Sequence, residues 1–398
     1  MLYTKQDVFD YVEQEDVKFI RLAFCDIYGR QKNISIMPAE LERAFTHGIS
    51  FDASAIPGFG DVVQSDLLLF PIPETLSVLP WRPSRGKVVR MFCRILHPDG
   101  TPFLADNRRF LEEAVKTAAE KGITVRFGAE FEFYLFKTDA EGIPTREPFD
   151  RAGYMDVAPE DRGENVRREI CLTLESMGIA PESSHHEEGP GQNEIDFRYS
   201  EPLRAADNAM HFLTVVKAVA AGNGLYADFS PKPIPGESGN GMHINISVKA
   251  SDGRDVSAMF MAGILRHVRE MTYFLNPTEG SYRRLGEKKA PRYVTWSPEN
   301  RSQLIRIPAA QGEYRRMELR SPDPTANPYL CFALLIYAGL EGIEKELVPP
   351  APVNRNLFTA EKELTDQLEK LPTSLEEARD LAKNSPFLQK ILPNHFLA

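Results

Sequence analysis

The sequence predicts an α+β fold in two parts: a small sheet-rich N-terminal domain, then a larger domain in which strands and helices interleave. Three observations predict it. Residues 17–95 are dense in strand signals, and from about Leu104 the apolar spacing becomes helical, with glycines closing the helices. Three segments far apart also alternate charged and apolar residues, as strands with one core face and one polar face do. At 398 residues, 42% of them hydrophobic, the chain suits two cores, divided as 1–100 and 101–398.

In the first part, Val17-Lys-Phe-Ile-Arg-Leu-Ala-Phe24 reads as a strand, Asp26-Ile-Tyr-Gly29 as a turn, and Lys32-Asn-Ile-Ser-Ile-Met37 as its returning partner. Helical spacing follows over residues 107–121 and 161–177, closed by Gly122 and Gly178. Further helices are expected over 204–221, 256–275 and 329–347. Pro349-Pro-Ala-Pro352 reads as a stiff turn before a polar tail.

A net charge of −10 opposes binding to nucleic acid or to an anionic membrane. An anionic ligand must then be met by local arginines or by metal. The longest apolar stretch, around 331–342, is too short to span a bilayer, and the N-terminus has no targeting pattern. Cys25, Cys93, Cys171 and Cys331 are scattered, which suits buried thiols in a reducing, cytoplasmic setting.

The alternating segments carry the chemistry. Phe127-Gly-Ala-Glu-Phe-Glu-Phe-Tyr-Leu-Phe136 places Glu130 and Glu132 on one face, a pairing comfortable only with solvent or a cation between them. Gly239-Asn-Gly-Met-His-Ile-Asn-Ile-Ser-Val248 does the same for His243, Asn245 and Ser247, and Arg315-Arg-Met-Glu-Leu-Arg320 for Arg316, Glu318 and Arg320. His185-His-Glu-Glu-Gly-Pro-Gly-Gln-Asn-Glu194 folds back at its Gly-Pro-Gly, so that Glu187 and Glu194 converge. Glu130, Glu132, Glu187, Glu194, Glu318 and His243 form an oxygen-rich donor set suited to Mg2+ or Mn2+, and six donors suit two ions. Arg284, Arg301, Arg306, Arg316 and Arg320 add a concentration of guanidinium that binds phosphate or carboxylate. The loop Gly236-Glu-Ser-Gly-Asn-Gly241 lets backbone approach a ligand but lacks the Gly-Lys-Ser/Thr ending of a Walker A loop.

With these residues assembled, the chain resembles the bacterial type I glutamine synthetase family over nearly its whole length. The matching segments run in order: Phe51-Asp-Ala-Ser54, Gly128-Ala-Glu-Phe-Glu-Phe133, His185 through Glu194, Lys232-Pro-Ile-Pro235 with Gly239-Asn-Gly-Met-His243, Asn276-Pro-Thr278 with Ser281-Tyr-Arg-Arg-Leu285, Asn300-Arg-Ser302, Ile305-Arg-Ile-Pro308, Arg316-Met-Glu-Leu-Arg320 and Ala326-Asn-Pro-Tyr329. The resemblance implies a β-grasp N-terminal domain and a catalytic domain with a curved antiparallel sheet backed by helices, assembled as hexameric rings, singly or stacked to a dodecamer. It implies one metal on Glu132, Glu187 and Glu194 and a second on Glu130, His243 and Glu318. L-glutamate would then sit on Gly239, His243, Arg284 and Arg320, and ATP on Asn245, Ser247, Arg301, Arg306 and Arg316. The ammonium site would comprise Tyr154, Glu187 and Asp52 of the partner subunit, and the reaction would be glutamate–ammonia ligation through a γ-glutamyl phosphate.

Some positions depart from the family pattern. Where the family carries a glutamate before Ala-Pro, Gly286-Glu-Lys-Lys-Ala-Pro291 is one residue shorter and puts Lys289 there, with Glu287 nearby. Ala55 and Ser238 replace a serine and an asparagine, and Phe358 stands where some members carry a modifiable tyrosine. The chain ends at Ala398, short of the helix that clasps opposing rings in the family, so a single ring is expected. Lys289 and Ala55 keep open a γ-glutamyl ligase for a larger amine, such as a polyamine or alkylamine. A nitrogen-sensing paralogue with weak catalysis is the third reading.

Overall fold

The computed structural model describes residues 3–60, 62–81, 86–310, 312 and 315–397. The first part contains α1 (Lys5–Gln14), β1 (Val17–Cys25), β2 (Gln31–Ile36), α2 (Leu41–His47), β3 (Ile49–Asp52), β4 (Asp66–Pro71), β5 (Ser77–Val78) and β6 (Lys87–Leu96). Its sheet runs β2-β1-β6-β4-β3, with β5 also on β6, and β1 lies parallel to β6 while β2 folds back on β1. The β1–β2 turn forms because the Asp26 carboxylate accepts the Tyr28 and Arg30 amides at 3.0 and 2.9 Å.

The second part opens with α3 (Asn107–Glu120), β7 (Ile123–Thr138), β8 (Pro144–Pro148), α4 (Glu164–Ser176), β9 (Pro181–His186) and β10 (Gln192–Phe197). It continues with α5 (Pro202–Gly222), β11 (Leu225–Asp228), β12 (Met242–Ala250), α6 (Ser257–Leu275) and α7 (Glu279–Arg284). β13 (Trp296–Pro298), β14 (Ile305–Ile307), β15 (Met317–Leu319), α8 (Pro328–Glu344), α9 (Lys362–Thr365), α10 (Leu375–Lys383) and α11 (Pro386–Ile391) complete it. The sheet order is β13-β14-β15-β12-β7-β10-β9, with β8 and β11 beside β7. It is antiparallel except for β13 beside β14.

The period-2 pattern decides which face is buried. Phe127, Ala129, Phe131, Phe133 and Leu135 of β7 and Met242, Ile244, Ile246 and Val248 of β12 all turn toward the helices. There Phe127 stacks on Phe332 of α8, ring centroids 4.4 Å apart, and Phe131 on Phe212 of α5 at 5.0 Å. The polar residues of the same strands are left on the opposite face.

The two parts are joined through polar contacts as well as packing. The Asn107 amide donates to the Asp26 carbonyl at 2.7 Å, and the Asp106 carboxylate caps α3 while accepting the Ile95 amide of β6. Buried Arg90 of β6 donates to Gln31 and to His211 of α5.

Two expectations need correction. Residues beyond Pro352 are not a polar tail: α9, α10 and α11 fold there and bury Leu371, Ala378, Ala382, Phe387, Leu388, Leu392 and Phe396. Their polar outer faces hide the few apolar anchors from a composition reading. The first part also holds two helices, α1 and α2, that strand signals alone did not reveal; the capping box of Thr4 and Asp7 starts α1.

Candidate active site

β14, β15, β12, β7, β10 and β9 lie side by side, so alternate residues of each stand in one row across the polar face. In register, Arg306 faces Glu318, Glu318 faces Asn245, His243 faces Glu130 and Glu130 faces Asp196. One step along, Glu132 faces Glu194 and Glu194 faces His185. A cavity of about 440 Å³ opens over this row. Its walls include Glu130, Glu132, Glu187, Glu194, His243, Arg284, Arg301, Arg306, Arg316 and Arg320, so strands remote in sequence are brought together as the alternation implied.

Among the described residues four groups have metal-ligand spacing, and two of them centre on a histidine that lines the cavity. In the first, His243 Nδ1 lies 3.4 Å from Glu130 and 3.7 Å from Glu318. In the second, His185 lies 3.8 Å from Glu187 and 3.4 Å from Glu194. Each set offers three donor atoms within 4.8 Å of one another, and a further set joins Glu130, Glu194 and Asp196. Glu132 stands between the clusters, but one of its oxygens accepts the Gly241 amide at 2.7 Å. His185 stands beside Glu187 and Glu194, and Glu132 lines the same cavity.

Burial and mutual repulsion perturb the carboxylates of this face. Burial pushes Glu132 up to about 7, and the Glu194 and Glu187 carboxylates add to that shift against the pull of His243 and Arg284. Burial and the surrounding carboxylates likewise raise Glu194 well above the usual range. Glu130 goes the other way: burial opposes its charge, but the hydrogen bond and charge of His243, the Asn245 amide and Arg316 outweigh it. Carboxylates this close are relieved by protons or by divalent cations, and hard oxygen donors with one imidazole fit the latter.

Arginines form the opposite wall. Glu318 is fixed by Arg306 at 2.5 Å and by Arg320 at 3.1 Å. Arg284 and Arg320, only 3% and 2% exposed, are anchored by donating to the backbone carbonyls of Ser321 and Arg301 respectively. Arg316 donates to the Asn245 side chain at 2.8 Å, and Asn245 in turn donates to Glu130 at 2.6 Å. Asn245 and Ser247 line an adjoining cavity of about 120 Å³ that shares Glu130, Asp196 and Arg316 with the main one.

The loops are tightly specified. Gly191 has φ of 70°, and a Cβ there would come 2.8 Å from the Leu135 carbonyl, so only glycine permits the turn that returns Glu194 toward Glu187. At Gly239 a Cβ would meet the Pro231 carbonyl at 2.4 Å and Arg284 Cγ at 2.8 Å. Gln192 donates to the Gly239 carbonyl at 3.1 Å and to Asn240 at 3.2 Å, tying that loop to the turn.

Two sequence-read residues stand apart from the buried row. Tyr154 is at the cavity mouth, 45% exposed, edge-on to His185 at 5.4 Å. Asp52 is exposed at the end of β3, accepts the Ser54 amide and hydroxyl, and lies outside the cavity of its own chain. His185 and Asp196 also line the cavity, and sequence reasoning did not single them out. Both were signalled by the same i, i+2 spacing, from Glu187 and from Glu194.

Among the described residues no helix is long and apolar enough to cross a membrane, and the four cysteines are free thiols. The glutamine synthetase β-grasp domain model matches residues 16–98, and the glutamine synthetase catalytic domain model matches residues 104–398. Glutamine synthetase of Clostridium saccharobutylicum is 45% identical over 409 residues, 99% of this chain and 92% of that protein. That of Methanosarcina mazei is 45% identical over 408 residues, 98% and 91% respectively. Among solved structures, GmaS in complex with ADP is 29% identical, with a TM-score of 0.89 over 98% of this chain and 94% of that one. Plasmodium falciparum glutamine synthetase, 22% identical, shares the fold with a TM-score of 0.87 over 99% of this chain and 94% of that one. The clustered carboxylates, the buried arginines and these full-length matches lead to one conclusion: the chain belongs to the glutamine synthetase family.

Proposed function

We propose that this chain joins ammonia to the γ-carboxylate of L-glutamate through a γ-glutamyl phosphate, with ATP as phosphoryl donor. The observation that carries the reading is the convergence of two carboxylate–imidazole clusters and five arginines on one cavity. Curated relatives named glutamine synthetase, at 41–45% identity, favour ammonia over a larger amine.

Glu130, His243 and Glu318 would hold one Mg2+ or Mn2+ ion and Glu187 and Glu194, with Glu132 or His185, another; bound there, the ions offset the charge of the phosphate oxygens. Arg306, Arg316, Asn245 and Ser247 orient the nucleotide. Arg301, exposed at the mouth, meets the transferred phosphoryl group. Arg284 and Arg320 are fixed positive charges that, with Gly239 and His243 beside them, hold glutamate. A γ-carboxylate oxygen attacks the terminal phosphorus and ADP leaves. Ammonia nitrogen then attacks the acyl carbon, the carbon–oxygen bond to phosphate breaks, and one proton passes to a carboxylate of the ammonium site. That site comprises Glu187, Tyr154 and Asp52 of the partner subunit.

We assign residues 1–100 to the β-grasp domain and 101–398 to the catalytic domain. The working form is a homo-oligomer, read as a single hexameric ring in the cytoplasm. The test is direct. Purified protein given ATP, glutamate, NH4Cl and MgCl2 should form glutamine and phosphate in equal amounts, and Glu318→Ala should lower turnover by about 100-fold or more. Binding of ATP or glutamate without phosphate release would replace the ligase with a sensor.

A further inference from the structure

The loop Gly286–Pro291 follows α7, and its Glu287, Lys288, Lys289 and Ala290 line the mouth of the main cavity. It is a tight turn: the Glu287 amide donates to the Arg284 carbonyl, the Ala290 amide to the Glu287 carbonyl, and Lys288 takes a left-handed backbone with φ of 49°. Both ends are held. Lys232 lies 3.3 Å from the Glu287 carboxylate on one side, and Arg320 donates to the Lys289 carbonyl at 3.4 Å from beneath. This geometry presents the Lys289 side chain across the opening. Its Nζ is 2.6 Å from Glu188 and 5.1 Å from the centroid of the Tyr154 ring, and Glu188 also accepts the Ser238 hydroxyl at 3.4 Å.

An anion and an aromatic face together recognise an ammonium ion. Here the box they form is filled by the protein's own ammonium, at the opening an incoming amine must pass. The ion pair is partly exposed, with side chains 47% and 37% accessible, so it exchanges readily with solvent and closes the mouth without sealing it. Ammonia can pass beside such a plug. An alkylamine whose nitrogen lies near Glu187 would carry its carbon chain toward the opening, where the Lys289 Nζ stands over the Tyr154 ring.

We infer that Lys289 is a specificity-determining residue, a tethered ammonium that fills the Tyr154–Glu188 box and restricts the second substrate to ammonia. The inference rests on the ligase reading above and names which part of that site excludes larger amines.

The experiment compares ammonia, methylamine and ethylamine in the assembled full-length enzyme, following phosphate release and identifying glutamine or N-alkylglutamine by mass spectrometry. Wild-type protein should strongly prefer ammonia. Lys289→Ala should raise the ratio of kcat/KM for ethylamine to that for ammonia by about tenfold or more, the scale on which a pocket discriminates one or two carbons. Lys289→Arg keeps the cation and should keep the wild-type ratio. Glu188→Gln leaves Lys289 in place but unlatches it and should raise the ratio, which preserves the test if Lys289→Ala does not fold. A merely structural lysine would lower both rates and leave the ratio alone; that result, or a wild type that uses ethylamine as well as ammonia, overturns the gate. No phosphate release with any amine would instead overturn the ligase reading and the gate with it.

Discussion

Behind the carboxylate clusters, His186 and Asp150 are buried and do not line the cavity. The His186 ring bridges the Glu187 carbonyl at 2.6 Å and the Asp150 carboxylate at 2.8 Å, and Asp150 accepts the Gly191 and Arg162 amides at 3.0 Å each. Both ring nitrogens face acceptors, and although burial opposes the charged ring, the Asp150 and Glu187 hydrogen bonds raise its pKa. One carboxylate thus holds both ends of the turn that sets Glu187 against Glu194. Asp150→Asn removes the anion and part of that grip. The Mg2+ concentration for half-maximal phosphate release should rise about tenfold or more, while KM for glutamate, which the proposed reading assigns to Arg284 and Arg320, should hold. A glutamate KM that rises as far as the metal requirement would mean a general loosening. None of this was legible in the sequence, because Asp150 is remote from His186 along the chain and nothing in its neighbourhood alternates. Glu130, His243 and Glu318 were legible because a strand's period of two fixes the face before the fold is known. The face of Glu132 was legible in the same way, but the hydrogen bond it accepts from the Gly241 amide was not.

At the scale of elements, β7 and β12 are the spine of the site, and the helices behind them keep the polar row straight. Their apolar alternates made both strands readable, and α5, α6 and α8 were readable from long apolar spacing closed by polar residues. The parallel pairing of β13 with β14 was not, for each spans only three residues and their partner is chosen by tertiary contact. The C-terminal helices escaped for the related reason that α10 buries only Ala378 and Ala382 while showing charges outward. Ser374 and Ser385, which cap α10 and α11, were the overlooked signal. The Phe127–Phe332 stack couples α8 to the spine directly. Phe332→Ala leaves a cavity under β7 and should destabilise the protein by about 3–5 kcal/mol, read as a lower urea midpoint. Because Phe127 packs on the apolar face of the strand whose polar face carries Glu130, the remaining activity should also show a weaker response to Mg2+. An unchanged midpoint would mean that α8 is held elsewhere.

For the whole molecule, the decisive observation is that one proposed residue stands apart from the others. The proposed metal, glutamate and nucleotide residues line the two adjoining cavities of a single chain, apart from Glu318, which is buried against His243, Arg306 and Arg320, whereas Asp52 is exposed on the first sheet, outside them. Within its own chain this exposed acid caps the short turn at residues 53–55 through the Ser54 amide and hydroxyl. If catalytic sites form between neighbouring copies in a ring, each site draws Asp52 from one chain and Glu318 from the next. That arrangement is a head-to-tail contact, which closes into a ring without consuming the surface. Asp52→Ala and Glu318→Ala should each inactivate the homo-oligomer. When the two variants are dissociated, mixed in equal amounts and reassembled, about a quarter of the sites should receive both native residues, with activity returning in that proportion. Sites contained within one chain would show no recovery at any mixing ratio. The same mixture, titrated with increasing Glu318→Ala protein, should pass through a maximum at equal proportions, because the two native residues then meet most often.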